Sequence, residues 1–447
     1  MTSPLRCLVI TSVFGLLASV RGVELNTTGP ACKALPSTIL GLLQTISAPP
    51  AGQLCPWILG DSLACTKLAF LSTSLEGDPN RIPTCAAGAQ VEPIGSPTAF
   101  EDVRPLPRDL SNATDLIEAE GATWAWLYRN VVNLAIYTGC AASGNAKETL
   151  LVPAGWELVS ILNFTDPTGR SNVGPVPFAA IFHQPQERQL AVIVRGTVFG
   201  FEWVLDFAWN QTTEYSRYLG NTSVHWGVAE VYQQLWPGVE DALRTLVVEQ
   251  GAVFVTGHSL GSGVGTLLSL GIQSYLDEQL GADVAPVVSA SLAAPLNVGG
   301  PEFVDYYNQR VNARRIAFVY DSIPQVPCEP AFPACTQKDV LLSQFSVVPT
   351  DQPGNAKEWS YEAIGGGVVF TPAELPQDSE AWSAVSILQV CWVNNYFSAT
   401  HGCSYNCFFS QFVPGYEANN SCWLSEKPNG ITGSQCNGWP TNYPIAA

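Results

Sequence analysis

The chain has 447 residues, of which 47% are hydrophobic and only 13% are charged, and its formal net charge is −18. This length suits one large domain with an extension, or two or three domains, and the composition indicates a folded chain with a large core rather than a disordered one. The strong negative charge argues against binding to nucleic acid and to strongly anionic membranes, since both are negatively charged.

The N-terminus has the composition of a targeting segment. Residues 1–22, MTSPLRCLVITSVFGLLASVRG, combine a basic residue, a short apolar run and small residues. This order predicts a signal peptide that is cut near Gly22. The sequence has no later apolar run of membrane-spanning length and no apolar tail, so it predicts a secreted protein without an integral or lipid-anchored membrane segment.

The cysteines and the glycosylation motifs agree with secretion. Of the 13 cysteines, only Cys7 lies in the predicted signal peptide, which leaves an even number for disulfide bonds in the mature chain. They fall in two clusters, within residues 32–140 and 328–436, with none between. The N-x-S/T sequons begin at Asn26, Asn112, Asn163, Asn210, Asn221 and Asn419. We therefore expect a disulfide-bonded, glycosylated protein.

The middle of the chain alternates between strand-like and helix-like patterns. Residues 23–117 are rich in Cys, Pro and Gly and form an extension of unknown role, and residues 115–140 have a helical pattern. From there to about residue 320, short β-branched runs alternate with segments of helical spacing, which predicts an α/β fold with a mostly parallel central sheet. Residues 322–447 are loop-rich, with Pro and Cys throughout.

The stretch AVFVTGHSLGSGVG, residues 252–265, contains the pattern G-x-S-x-G. An apolar, β-branched run precedes it and a helical pattern follows it, so a strand must turn sharply into a helix here. Gly257 and Gly261 then leave space for a strained turn that exposes the hydroxyl of Ser259 and directs the amide of Leu260 to the same point. The pattern predicts that Ser259 is a catalytic nucleophile, although G-x-S-x-G also occurs by chance in ordinary strand–helix turns.

A serine nucleophile needs a base, and the chain has four histidines. On this fold the catalytic order is Ser, acid, His, and only His401 follows Ser259. We therefore predict His401 as the base. His258 lies beside the nucleophile, where we expect its ring to point away and to serve packing, and His183 and His225 come too early in the chain. The segment HGCSYNC resembles a metal cluster, but paired cysteines in a secreted chain argue against zinc.

Asp321 is the predicted acid of the triad. It follows the apolar run RIAFVY and precedes the turn SIPQVP, which places it at the carboxyl edge of the sheet together with the predicted elbow. An Asp there can hold the His401 tautomer and stabilise its imidazolium form. The alternative is an ordinary turn residue at the end of a strand.

Several motifs in order resemble those of one known family. The chain resembles the class 3, fungal-type lipases, which are α/β-hydrolases that cleave acylglycerols, over about residues 118–410. The matching segments are IVRGTVFGFEWVLDF (193–207), VHWGVAEVY (224–232), VTGHSLG, VYDSIPQVP and the pair His401 and Tyr405. The resemblance implies a catalytic domain over residues 118–447.

The resemblance also implies roles for particular residues. Ser259, Asp321 and His401 match the family's triad. Leu260 would supply one oxyanion contact through its amide, and Thr197 another through its amide, with its hydroxyl as a further candidate donor. No metal or organic cofactor is expected.

Three positions depart from the family pattern. Ser262 replaces the glycine that usually follows the elbow, and the family's G-x-P-x-V-G loop is here AAPLNVG, with Ala293 in place of Gly. His401 and Tyr405 are four positions apart, where three is usual. By the same resemblance, His225 of the V-H-x-G segment is structural.

Residues 198–209, VFGFEWVLDFAW, carry an aromatic stripe. Phe199, Trp203 and Phe207 are four apart and share one face of a helix, which fits a buried core helix or a lid. The segment directly follows Thr197 and precedes two sequons, so it lies beside the active site and close to solvent. We therefore predict a lid that covers the acyl pocket in water and turns outward at a lipid surface.

These patterns predict a secreted serine carboxylic-ester hydrolase that acts on acylglycerols or related lipid esters at an oil–water or membrane surface. A phospholipase or a feruloyl-type esterase uses the same chemistry and stays open, because the pocket walls rather than the motifs set the substrate. A catalytically silent lipid-binding protein with this fold is the alternative of another class.

Overall fold

The structure is a computed structural model, and it describes only part of the chain. The described residues are 113–142, 150, 152, 155–167, 169, 171–206, 208, 211–246, 251–318, 321, 323–325, 327, 361–370, 401–402 and 404–410. All of them belong to one compact unit, formed by residues 79–374 and 398–447. The predicted signal peptide, nearly all of the predicted extension and every cysteine side chain lie outside the described residues, so those predictions and the domain boundaries stay predictions.

A seven-stranded sheet forms the centre of the described structure. Its strands are β1 (Glu157–Phe164), β2 (Val176–Gln184), β3 (Gln189–Val194), β6 (Ala252–His258), β7 (Val288–Ala293), β8 (Asn312–Phe318) and β9 (Gly366–Phe370). They lie side by side in that order. The first three strands form an antiparallel meander, and all pairs from β3 to β9 are parallel. The predicted α/β class with a mostly parallel sheet is therefore confirmed.

Helices and short elements connect these strands. The helices are α1 (Ala113–Ala142), α2 (Gly200–Asp206), α3 (Trp226–Leu246), α4 (Leu260–Leu280), α5 (Pro301–Asn308) and α6 (Ser404–Ser410). A two-stranded ribbon joins β4 (Gln211–Thr212) to β5 (Val224–His225), and short 3₁₀ helices span Ser216–Tyr218 and Ile323–Gln325. Within the described ranges, no helix has the length and apolarity needed to cross a membrane.

Both faces of the sheet are covered, which explains why its central strands are apolar without alternation. On one face, Trp124 of α1 packs edge-on against Phe254 at 6.1 Å, and Trp126 packs against Trp156 at 5.0 Å between ring centroids. Because neighbouring strand residues point to opposite faces, Val255 points the other way, toward α4. The helix predicted at 115–140 is confirmed, and the structure shows that it covers one face of the sheet.

The strand order brings the predicted site residues to one edge. β3, β6 and β8 run parallel, so their carboxyl ends meet at the same edge of the sheet. The chain leaves β3 toward Thr197, leaves β6 at Ser259 and leaves β8 toward Asp321. This edge is where open α/β sheets bind their ligands.

Candidate active site

Ser259 occupies a strained turn between β6 and α4. Its backbone has φ 58° and ψ −128°, in a region that residues with a side chain rarely adopt. A Cβ atom on Gly257 would lie 2.2 Å from the carbonyl oxygen of Gly261, and one on Gly261 would lie 2.3 Å from the carbonyl oxygen of Arg195. Only glycine fits at either position, so the predicted G-x-S-x-G turn is present with the expected geometry.

One carbonyl group holds the elbow in place. The carbonyl oxygen of Ala293, at the end of β7, accepts hydrogen bonds from the amide of Ser259 at 3.1 Å and from the hydroxyl of Ser262 at 2.5 Å. Two of the departures from the family pattern thus meet in one contact. Ser262 replaces the usual glycine without leaving a buried hydroxyl unsatisfied, because Ala293 accepts its hydrogen.

The predicted acid and base are in direct contact. Oδ2 of Asp321 lies 2.9 Å from Nδ1 of His401, and both side chains are buried. The second oxygen of Asp321, Oδ1, accepts the amide of Ile323 at 3.0 Å. A carboxylate can only accept, so Nδ1 of His401 carries the hydrogen and Nε2 is left to act as a base.

The spacing of four between His401 and Tyr405 still allows both side chains to reach Asp321. His401 and Gly402 lie in a short π-helical turn. Tyr405 still reaches the acid, since its hydroxyl lies 2.8 Å from Oδ2 of Asp321. The departure in spacing therefore leaves the contacts of the base region intact.

The segment after β3 lies against the nucleophile. A Cβ atom on Gly196 would be 3.4 Å from Cβ of Ser259, which places the neighbouring Thr197 beside the elbow. The hydroxyl of Thr197 donates to Oδ2 of Asp206 at 2.8 Å. A hydroxyl has a single hydrogen, so the amide of Thr197 is the donor left for an oxyanion. Leu260, the other predicted donor, is fully buried at the start of α4.

Asp206 itself has an unusual environment. Burial raises the pKa of Asp206 well above its ordinary value, the hydrogen bond from Thr197 opposes this rise, and the nearby Glu202 adds to it. The hydrogen bond from Thr197 thus ends on a buried carboxyl group.

A buried ion pair supports the same segment. Nη2 of Arg195 lies 2.6 Å from Oε1 of Glu202, Nη1 lies 2.9 Å from Oε2, and both side chains are fully buried. Oε2 of Glu202 also accepts the amides of Val198 and Phe199, at 2.6 Å and 3.0 Å. Two-point contact between a guanidinium and a carboxylate fixes geometry as well as charge, so the loop that carries Thr197 is held at both ends.

The described part of the predicted lid is packed into the interior. Phe199 is buried and stacks on Phe201 at 5.9 Å, and Phe201 stacks in turn on Phe164 at 6.0 Å. The side chains of Trp203 and Phe207 lie outside the described residues. The start of the predicted lid is thus anchored in the core, and its movement stays a prediction.

His225 and His183, which precede Ser259 in the chain, have different surroundings. His225 is buried, its Nδ1 faces the amide of Val228 at 3.4 Å at the start of α3, and burial lowers its pKa from 6.5 to about 3. The structure gives His225 the structural position that the resemblance implies. His183 pairs with Glu157 across β1 and β2.

The prediction that the ring of His258 points away from the site is wrong. Its Nε2 lies 2.6 Å from the backbone carbonyl oxygen of His401. The ring direction depends on where residue 401 returns in the fold, and adjacency in sequence does not reveal that. The Glu202 pair was also missed, although an Arg at a strand end followed seven residues later by Glu was visible in the sequence.

Among the residues that the structure describes, no group of three or more His, Cys, Asp or Glu side chains is arranged to hold a metal ion. The chemistry available at this edge is that of a serine, a buried His–Asp pair and backbone amides.

Comparison with known proteins gives a family. Residues 191–330 match the family of class 3 lipases. The same chain finds no match among curated proteins.

Solved structures with similarity to the chain include three lipases from fungi. Lipase II from Rhizopus niveus is 19% identical, with 46% of this chain and 74% of that one covered and a TM-score of 0.34. A lipase from Yarrowia lipolytica is 17% identical, covering 56% and 78%, with a TM-score of 0.36. A triacylglycerol lipase from Penicillium expansum is 13% identical, covering 56% and 80%, with a TM-score of 0.35.

The family match includes the elbow and Asp321, and it ends before His401. Over residues 191–330 the chain is therefore similar to the class 3 lipases, and this match supports a lipase-type ester hydrolase.

Proposed function

We propose that the enzyme hydrolyses lipid esters through a triad of Ser259, His401 and Asp321 and a covalent acyl-enzyme. The observation that carries this proposal is the position of Ser259 in a strained turn at the sheet edge that also holds the hydrogen-bonded pair of Asp321 and His401. A serine exposed by a strained turn and a base held by an acid are the parts that nucleophilic acyl transfer requires.

The reaction begins when Oγ of Ser259 attacks the ester carbonyl carbon and gives its proton to Nε2 of His401. The carboxylate of Asp321 stabilises the imidazolium that forms. The negative charge on the tetrahedral intermediate is stabilised by the amides of Thr197 and Leu260. The intermediate collapses as His401 protonates the leaving alcohol. A water molecule then attacks the acyl-enzyme while His401 accepts its proton. His401 returns this proton to Oγ of Ser259 as the carboxylic acid leaves.

We propose an acylglycerol or a related lipid ester as the substrate, met at an oil–water or membrane surface. Support comes from the family match and from Trp203 and Phe207, the predicted lid aromatics that follow the predicted oxyanion residue. A phospholipid or a feruloyl-type aryl ester would react by the same steps.

Secretion, disulfide bonding and glycosylation belong to this proposal, on the basis of the N-terminal segment, the cysteine count and the sequons. Two of those sequons, at Asn163 and Asn221, have exposed side chains.

Turnover of a soluble short-chain ester by point variants tests the triad. Ser259→Ala and His401→Ala should each lose about 10³-fold or more in kcat, because the members of a triad act as a unit. The thermal midpoint of Ser259→Ala should stay close to that of the wild type, whereas the kcat of His401→Ala should be measured per folded molecule, because this change also removes a buried hydrogen bond to Asp321. His225→Asn is the matched control, a histidine variant outside the triad that should keep its kcat. Near-wild-type turnover by Ser259→Ala would rule out the proposed nucleophile.

A substrate panel on the secreted protein tests the substrate class. It should contain short- and long-chain acylglycerols, phospholipids and aryl esters, compared by kcat/KM. The proposal expects the highest values for acylglycerols. Preference for an aryl ester would favour the feruloyl-type alternative, and no turnover of any ester by a folded protein would favour the silent lipid-binding protein.

A further inference from the structure

His258, the residue before the predicted nucleophile, is hydrogen-bonded to the main chain of the predicted base. It precedes Ser259 in the chain, and its Nε2 lies 2.6 Å from the backbone carbonyl oxygen of His401, which is 143 positions away in sequence. The carboxylate of Asp321 contacts the side chain of His401, whereas His258 contacts its main chain. The base is therefore held at two separate points.

The chemistry of this contact fixes the state of the His258 ring. A carbonyl oxygen only accepts, so Nε2 of His258 must carry the hydrogen. Burial lowers the pKa of His258 well below its ordinary value, and the neighbouring His401 lowers it further. A neutral ring has one N–H group, and the contact with His401 uses it.

The surroundings leave the His258 ring little freedom to turn. On one side, a Cβ atom on Gly196 would lie 3.1 Å from Nδ1 of His258, which shows how closely the backbone approaches the ring. On the other sides lie the rings of His401 at 4.6 Å, Tyr405 at 5.5 Å and Tyr128 at 6.0 Å between centroids. Tyr128 is itself stacked on an aromatic ring of α6. The donor thus points at the carbonyl of His401 from closely packed surroundings.

This arrangement matters because Ser259 and His401 come from distant parts of the chain. A hydrogen bond between the side chain of Asp321 and Nδ1 orients the imidazole but does not set how far its backbone stands from the elbow. The peptide bond between His258 and Ser259 and the hydrogen bond from His258 to His401 connect the backbone of His401 directly to the elbow. Positions off by about an ångström can lower the rate by orders of magnitude in enzymes.

We propose that His258 is a positioning residue for the catalytic base, whose Nε2–H group holds the main chain of His401 at the distance from Ser259 that proton transfer needs. The inference rests on the proposed function, since it assumes that His401 is the base. The proposed role does not require His258 to contact the substrate. A residue that only fills space would need the volume of the ring and not its donor.

Two substitutions with side chains of similar length test whether His258 acts as a hydrogen-bond donor or only fills space. His258→Gln places an amide NH₂ at the same number of bonds from Cα as Nε2, so it can still donate to the carbonyl of His401. His258→Met has the same length and no donor. We expect His258→Met to lower kcat on a soluble ester by about 10- to 100-fold with KM within about twofold of wild type, and His258→Gln to recover kcat to within about fivefold.

The readout is kcat per folded molecule, with the folded fraction measured by circular dichroism at the assay temperature. His258→Phe, a ring without a donor, is a second variant should the Met variant fold poorly, and it should lose kcat as the Met variant does. Equal kcat in the Gln and Met variants, or a loss fully accounted for by the unfolded fraction, would overturn the positioning role. A folded but inactive Gln variant would overturn it too.

Labelling of the wild type with a phosphonate ester keeps this test apart from that of the proposed function. If the wild type is not labelled at Ser259, the proposed triad fails. If the wild type is labelled and the Gln and Met variants react equally fast, only the role of His258 fails.

Discussion

The hydroxyl of Tyr405 donates a hydrogen bond to Oδ2 of Asp321 at 2.8 Å, and Nδ1 of His401 lies 2.9 Å from the same oxygen atom. The Tyr405 oxygen in turn accepts the amide of Phe318, the last residue of β8, at 2.9 Å. The tyrosine thus connects the acid to the end of the strand that carries it. Burial and the nearby Asp321 raise the pKa of Tyr405 well above its ordinary value, so the phenol keeps its hydrogen.

Tyr405→Phe should weaken both stability and catalysis. The change removes a hydrogen bond to a buried carboxylate and leaves the amide of Phe318 without its acceptor, which costs about 1.5–3 kcal/mol in the free energy of unfolding. We expect kcat to fall about tenfold, because Asp321 gains freedom to rotate away from His401. Denaturant unfolding and turnover of a soluble ester measure the two effects.

Tyr307→Phe is the matched control for that experiment. Its hydroxyl is also buried and lies 2.9 Å from the hydroxyl of Ser269, away from the site edge. This variant should lose stability by about 1 kcal/mol and keep its kcat. A Tyr405→Phe enzyme with unchanged kcat would show that Asp321 does not depend on the tyrosine for its orientation.

Glu202→Gln should be strongly destabilising. It leaves the fully buried guanidinium of Arg195 without its charged partner, for which the expected cost is about 3–5 kcal/mol. Because Glu202 also accepts the amides of Val198 and Phe199, the segment beside Thr197 should loosen and kcat should fall in the molecules that remain folded.

Glu278→Gln provides the comparison for the ion pair. Its carboxylate is 51% exposed and lies 3.6 Å from Arg217, so its loss should cost less than about 1 kcal/mol in denaturant unfolding. Equal effects of the two substitutions would contradict the structural importance of the buried pair.

His225 should make the protein less stable at acid pH. Burial lowers its pKa from 6.5 to about 3, so between these values the unfolded chain binds a proton that the folded protein does not bind. The free energy of unfolding should therefore fall as the pH falls below 6.5, by up to about 1.4 kcal/mol per pH unit from this residue.

His225→Asn tests this pH dependence. The Asn side-chain oxygen can still accept the amide of Val228, as Nδ1 of His225 does, but it does not titrate. The variant should lose less stability than the wild type between pH 6.5 and pH 4, measured by denaturant midpoints at each pH. Parallel curves for the two proteins would contradict a buried neutral His225.

Trp203→Ala addresses the predicted lid. Activity of the wild type on an acylglycerol should rise sharply once the substrate exceeds its solubility and forms an interface. The variant should show a smaller rise. Its turnover of a soluble ester should change less than this interfacial rise does. Trp236→Ala is the control, since Trp236 packs on Tyr218 and Tyr232 away from the site. A smooth hyperbolic dependence in the wild type would favour a soluble esterase without a lid.

The parts of the site that the sequence predicted are those that depend on local structure and chain order. The turn at Ser259 follows from two glycines between a strand and a helix, and Asp321 follows from its place after a strand. His401 follows from the catalytic order of the fold, because no other histidine comes after Ser259. Each of these inferences needs only neighbours in sequence or the order of residues along the chain.

The parts that the sequence did not predict depend on tertiary contacts. The contact of His258 with His401 and the pairing of Arg195 with Glu202 require knowledge of which segments meet in space. Strand β9 was missed because it lies in the stretch after residue 322, whose pattern predicted loops. The parallel arrangement was predictable from alternation, but the antiparallel start was not.

The central claim is that His401 and Asp321 activate Ser259. Labelling by a fluorophosphonate tests this claim most directly. The reagent forms a covalent bond only with a nucleophilic serine, and the product is located by mass spectrometry of peptides. We predict one label per folded wild-type chain, on the peptide that contains Ser259, with no label on Ser259→Ala and far slower labelling of His401→Ala. A folded wild-type protein that takes up no label, or takes it up at another residue, would contradict the account.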